Sequence, residues 1–322
     1  MGLLDRGAEA LGWLGRHGTG AVAVSMFVGI AVPPLGALVQ PYFRETVIVL
    51  LILAFLRVDP AGLRLQLSRP VLLAAATVWT MLTVPFAIGH WLASDGLMYS
   101  APGFTLALVM HAVAPPTFSS PALAALIGLN AALSLALLIV CLAVTPFAAP
   151  AFVATFTSGS VKLEPFALGV RLALILAGAA AVAWAIRAIA GKARIERHAD
   201  HIDGLSVIAL FGFAIALMGG VMRHTLANPM LVLGLVVLAT TLSLALSALT
   251  ALLFIRAGRE TAFALAHAAG SRNMGLMLAA SAGLVPELVW LYVALAQFPI
   301  YLLPLAYKPL ARRLGLGKDG AR

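Results

Sequence analysis

The sequence predicts an all-α, polytopic membrane protein. It anticipates ten transmembrane helices arranged as two inverted five-helix repeats, with broken, crossing fourth and ninth helices. Three observations carry this. The 322 residues are 62% hydrophobic and only 10% charged, with a mean hydropathy of +1.04, whereas soluble domains are near half apolar and a quarter charged. The basic residues gather in short stretches between apolar runs. The two halves of the chain repeat one pattern of break, helix and prolines.

Residues 1–18 hold Asp5 and Glu9 and have no continuous apolar core, so they do not read as a cleavable signal. Leu3, Leu4, Leu11 and Leu14 recur at helical spacing, which predicts a short interfacial segment. Arg6 stands where a myristoylation pattern needs Ser or Thr. Measured against the roughly 20 residues that cross a bilayer, the apolar runs give spans at 19–38, 45–56, 70–93, 99–128, 130–153, 165–186, 203–222, 228–255, 260–282 and 286–307. The second is short, and its arginine-marked ends must reach the interfaces. The division that follows is 1–18 as the interfacial segment, 19–157 and 158–307 as the two repeats, and 308–322 as a basic cytoplasmic tail.

Charge orients the layout. With both termini in the cytoplasm, the inner segments hold sixteen Lys and Arg, from Arg6 and Arg16 through the Arg187–Arg197 cluster to the tail. The outer segments hold three: Arg44, Lys162 and Arg223. That asymmetry is the positive-inside pattern. A net charge of +9 distributed this way favours a membrane over nucleic acid. Cys141, the single cysteine, lies in an apolar run and can form no internal disulfide.

The repeat is visible in the breaks. Ser120 to Pro146 and Asn273 to Pro299 are each 26 residues. In each half a broken span with small polar residues precedes an apolar helix carrying two prolines, Pro146 and Pro150 against Pro299 and Pro304. The breaks are Ala114-Pro115-Pro116 and Gly270-Ser271-Arg272-Asn273. Five spans per half forces the second half upside down, and matched interruptions in inverted repeats point to a transporter's binding site. Arg272 is the costliest residue there, since a cation at mid-bilayer costs about 2.5–3.5 kcal/mol.

Each polar residue near the breaks has a structural and a functional reading. Arg272 either clamps freed backbone or also contacts an anionic substrate. Asn273 caps the second half-helix or touches ligand, and Ser119 and Ser120 cap the helix starting near Pro121 or serve as ligands. Thr117 and Ser271 flank the two breaks and join the substrate-binding set. His111 and His267 are either neutral, hydrogen-bonded interhelical groups or a proton relay. Asn130 reads as the N-cap of the fifth span and Pro286-Glu287 as a helix start, while Arg171 snorkels to the outer interface. The 194–203 stretch, with histidines three apart and acids nearby, reads as a solvated loop before a metal site. Thr240, Thr241, Ser243 and Ser247 read as helix-packing residues.

Two stretches, Ala114-Pro-Pro-Thr-Phe-Ser-Ser-Pro through Ser134 to Pro150 and Gly270-Ser-Arg-Asn-Met-Gly-Leu-Met277, resemble the bile acid:sodium symporter family. The likeness is to a divergent bacterial-type member. It implies a panel domain and a core domain with a substrate path between them, beside two crossing broken helices. It also implies an inner (plasma) membrane location and transport of small organic anions, often coupled to sodium. Under this resemblance Ser120 and Ser134 match sodium-ligand hydroxyls, but Pro121 and Leu138 replace two further ligands. Ala268 stands for the family's ligand glutamate, Arg272 for its glutamine and Thr80 for another glutamine; Asn273 keeps the family's residue.

Losing a carboxylate and gaining a guanidinium repels a bound cation by Coulomb's law. The expectation is therefore a secondary transporter moving a small organic anion by alternating access, with Arg272 replacing a bound sodium and Na+ or H+ the only coupling ions in question. No cofactor is expected. A non-transporting membrane sensor on the same fold is the alternative. A metalloid exporter would want a thiol beside the fourth-span break, where the chain has none. No pair of acids and no Ser–His–Asp grouping converges on the breaks, so an enzyme is not expected.

Overall fold

The computed structural model describes residues 24–58, 60–157 and 163–313. The expected interfacial segment 1–18 and most of the basic tail lie outside these residues. Among the described residues the chain is helical and has no strand. Seven helices are long and apolar enough to cross a membrane: Pro33–Leu56, Pro70–Ser94, Ala131–Phe156, Pro165–Ala190, Ala199–Ala227, Pro229–Ala257 and Glu287–Pro309. That makes the chain an integral membrane protein by length and composition.

In chain order we label α1 (Pro33–Leu56), α2 (Pro60–Leu67), α3 (Pro70–Ser94), α4 (Pro102–Val113), α5 (Ser120–Ile127) and α6 (Ala131–Phe156). The second half supplies α7 (Pro165–Ala190), α8 (Ala199–Met218), α9 (Pro229–Phe254), α10 (Arg259–Gly270), α11 (Met274–Ala280), α12 (Glu287–Leu295) and α13 (Gln297–Arg313).

Several expected boundaries move. The first two spans divide at Val32, not between 38 and 45, and α1 then runs unbroken to Leu56. Pro33 and Pro34 look like the interior of an apolar run, yet a proline's fixed φ and lack of an N–H suit a helix's first turn. Pro41 only tightens Gln40–Tyr42 into a 3-10 turn. Arg44 therefore lies within a helix and not in an outer loop, and Arg223 likewise falls in the helix Val221–Ala227. The 194–203 stretch is helical on both sides of His198, not a loop. The last helix continues to Arg313, taking in the start of the expected tail.

The helices form two compact units, each drawing segments from both halves of the chain. One comprises Met1–Val58 and Leu174–Pro229. Within it α1 lies along α8, with Phe43 and Phe213 stacked at 5.3 Å between ring centroids. Gly36 and Gly219 let the two backbones meet so closely that a Cβ on either would overlap the other's main chain. At the opposite end Arg57 pairs with Asp203, Nε to Oδ1 at 2.8 Å. Leu53, Leu56, Ala183 and Ile195 form a small buried cluster there.

The other unit comprises Asp59–Ala173 and Met230–Arg322. Helix α6 is its axis, packing against α3, α4, α5 and α10. Asn130 starts it as the sequence suggests, accepting the Leu133 N–H at 2.9 Å. Pro146 and Pro150 remain inside the helix. The second-half counterpart differs, because Glu287–Leu295 and Gln297–Arg313 are separate segments with Ala296 between them.

Candidate functional site: a crossing of two broken helices

The two interrupted spans meet within the α6-centred unit. Helix α4 ends at Val113, where Ala114 turns extended at ψ 138° and Pro115 and Pro116 follow. Neither proline has an N–H to continue a helical ladder, so the chain is extended through Pro116 and then turns at Phe118 and Ser119 into α5, with the Ser120 N–H donating to the Thr117 carbonyl at 3.0 Å. Helix α10 ends at Gly270, and Ser271 is extended at ψ 94°. The two extended stretches lie antiparallel, with Pro116 bridged to Arg272. The Thr117 N–H donates to the Ser271 carbonyl at 2.8 Å, and the Asn273 N–H donates to the Pro115 carbonyl at 2.7 Å. Each break thus supplies the hydrogen bonds the other lacks, as a non-aqueous interior demands.

The half-helices pack crosswise. Helix α4, before the first break, contacts α11 and α12, which follow the second. Helix α5, after the first break, contacts α10, which precedes the second, and α13. Gly270 is required at this crossing. A Cβ there would overlap the Ser247 hydroxyl and lie 2.8 Å from the Ser243 carbonyl, so these serines are packing partners as their residue type suggests.

Arg272 is only 1% exposed. Its Nη1 donates to two carbonyls, Ala114 at 3.0 Å and Thr80 at 3.1 Å. Both acceptors lie outside an α-helical ladder. Ala114 is extended just past the end of α4, where the last carbonyls of a helix have no partner within it. Thr80 lies in a π turn, Trp79–Thr83, closed by the Val84 N–H donating to the Trp79 carbonyl. In an α-helix Pro85 would free the carbonyl of Met81; the π register moves that deficit by one residue to Thr80. The guanidinium thus ties three interruptions together: a π turn and two helix breaks. Its Nε and Nη2 have no partner, and this edge is the one that takes a carboxylate in two parallel bonds.

No described residue of the unit neutralises that charge. Ala268, one helical turn before Arg272 on the approach to the break, is fully buried and apolar. Asp95, Glu164, Glu260 and Glu287 are exposed at helix ends. Asn273 caps α11 by accepting the Leu276 N–H at 3.1 Å, leaving its Nδ2 without a partner.

The hydroxyls divide differently from expectation. Ser119 occupies the N-cap position of α5, but its side chain caps nothing and lies 3.3 Å from the Thr117 hydroxyl. Ser120 and Ser134 are fully buried and bonded to each other at 2.9 Å. Thr80 takes part through its carbonyl, and its hydroxyl is unpartnered.

His111 Nδ1 lies 3.0 Å from the Tyr292 hydroxyl, an α4–α12 bond that matches its interhelical reading, with Nε2 left unpartnered. His267 has no hydrogen-bond partner at either nitrogen, and its ring lies nearly perpendicular to that of Tyr307, with centroids 6.3 Å apart. Cys141 is buried within α6.

Sequence reasoning missed the π turn, the Thr80 and Ala114 carbonyls, Tyr292, and the Trp79 Nε1 bond to the Thr250 hydroxyl at 2.8 Å. Only Pro85 gave a signal for the first of these. Among the described residues no three His, Cys, Asp or Glu are grouped to hold a metal ion. No protein-family model matches this chain, and no curated protein matches it in sequence.

Proposed function

We propose that the protein is a secondary transporter that moves a small organic anion by alternating access, with Arg272 in the position of a coupling sodium. The observation that carries this reading is the buried guanidinium donating from Nη1 to the Thr80 and Ala114 carbonyls at a crossing of two helix breaks. Oxygens freed in this way are what a hard cation would otherwise collect. A permanent cation there repels a second one. The mutual Ser120–Ser134 bond supports the same conclusion for the other hydroxyl pair, because those oxygens already satisfy each other.

In this reading the ten spans form two inverted five-helix repeats, both termini are cytoplasmic, and the membrane is the bacterial inner membrane. The anion would sit by Arg272, with Asn273, Ser271, Thr117 and Ser119 around the crossing.

The test is flux of small organic anions into proteoliposomes in sodium or choline medium. Equal rates, within about twofold, are expected, since a site holding a fixed charge gains nothing from a free cation. A steep sodium dependence in the wild type would sink the assignment. Arg272→Gln should introduce sodium dependence. Tight anion binding without flux would favour the sensor. Arsenite flux that is lost in Cys141→Ser would establish metalloid export instead.

A further inference from the structure

The transport reading leaves open what drives the cycle, and the charge at the crossing bears on it. Arg272 is 1% exposed and forms hydrogen bonds only from Nη1. Those partners are carbonyls, which orient toward the guanidinium and leave its net charge in place. The four acids described in this unit are exposed at helix ends, and the position one turn before Arg272 is alanine. The unpartnered Nε and Nη2 form one planar fork matched to a carboxylate.

From this we infer that a carboxylate on the cargo docks on the Nε–Nη2 edge of Arg272 and neutralises it, so that the loaded site reorients readily and the empty site does not. The protein then exchanges one carboxylate for another across the membrane. This rests on the transport reading above and adds the mode of coupling to it. When the anion leaves, the guanidinium has no other counter-charge among the described residues of the unit. Reorienting that state moves an uncompensated cation through a low-dielectric interior, where a lone charge is far costlier than a pair. Reorienting the loaded state moves a neutral pair. Exchange of one monoanion for another also transfers no net charge, so it needs neither sodium nor a proton.

The experiment uses the full chain in phosphatidylethanolamine/phosphatidylglycerol vesicles with radiolabelled pyruvate, lactate and 2-oxoisovalerate. Uptake is compared between vesicles preloaded with the same unlabelled acid and vesicles holding only impermeant buffer. At least one acid should enter preloaded vesicles about tenfold faster or more, since each 1.36 kcal/mol of barrier is a factor of ten in rate. That ratio should persist in choline medium and at zero imposed potential.

Equal rates into preloaded and empty vesicles would overturn the exchange mode while leaving transport intact. No flux of any acid in either mode would overturn both. Arg272→Gln should lower the preloading ratio toward one, because its empty site is no longer charged, whereas Arg272→Lys should keep the ratio and weaken apparent affinity. A purely structural arginine would lower both rates together and leave the ratio unchanged. Should Arg272→Gln fail to fold by size exclusion, the wild-type ratio alone decides.

Discussion

At the residue scale, some buried polar groups in this protein find each other and others are left without a partner. Ser120 and Ser134 come from different helices, and each fills the other's requirement at 2.9 Å. Removing one hydroxyl strands the other in a dry interior, at a cost of about 1–3 kcal/mol. Ser120→Ala and Ser134→Ala should each lower stability by about that amount. The double variant should lose less than their sum, with a coupling of about 0.5–3 kcal/mol. Equilibrium unfolding of the four proteins in detergent measures the cycle; strict additivity would mean the two hydroxyls do not interact. Arg272 is the opposite case. Its Nη1 has partners and its Nε–Nη2 edge has none, a division that suits a clamp able to bind something more.

At the element scale, helix breaks are stabilised by side chains and by one another. Asn130 and Asn273 hold equivalent posts, each accepting the N–H three residues on at the start of a helix after an interruption. Replacing either with alanine should destabilise by about 1 kcal/mol through loss of the cap, read as a shift in the unfolding midpoint. Asn273→Ala should also impair flux under the proposed function, whereas Asn130→Ala should not; equal impairment would reduce Asn273 to a cap. Gly270→Ala is expected to be severe, because the added methyl meets the Ser243 main-chain carbonyl as well as the Ser247 side chain. Overpacking of this kind costs about 1–3 kcal/mol. Ser247→Gly should relieve it only in part, since the carbonyl cannot be mutated away; full rescue would show that the side chain alone sets the limit.

At the scale of the whole molecule, the chain's two halves are not its two compact units. Sequence order suggests a division near 157, whereas packing assigns segments of both halves to each unit. The crossing lies wholly within one of them, so the sodium-independence prediction concerns a site that a single unit assembles. Measuring flux in choline medium therefore reports on the guanidinium and the oxygens it already holds.

Much of this was legible in the sequence. The membrane class follows from composition, because few charged side chains leave little alternative to burial in lipid. The breaks follow from Pro115-Pro116 and from Gly270 beside Ser271, and Asn130 and Asn273 are readable as caps from residue type and place. The break at Val32 was hidden because hydropathy does not register where a helix is interrupted within an apolar run. Thr80's part was hidden because it enters through its carbonyl, and which carbonyl Pro85 frees depends on a π register that composition does not encode.

By itself, then, the sequence determined that the chain is a polytopic helical membrane protein whose interruptions carry a costly arginine. Those are consequences of covalent chemistry and local solvation, which each residue brings with it. Only the tertiary structure decided that the two interruptions bond to each other, that Arg272 reaches carbonyls distant in sequence at Thr80 and Ala114, and that none of the described acids meets it. Those outcomes depend on which helices pack together, and hydrogen bonds between distant segments exist only once packing has brought them within about 3 Å.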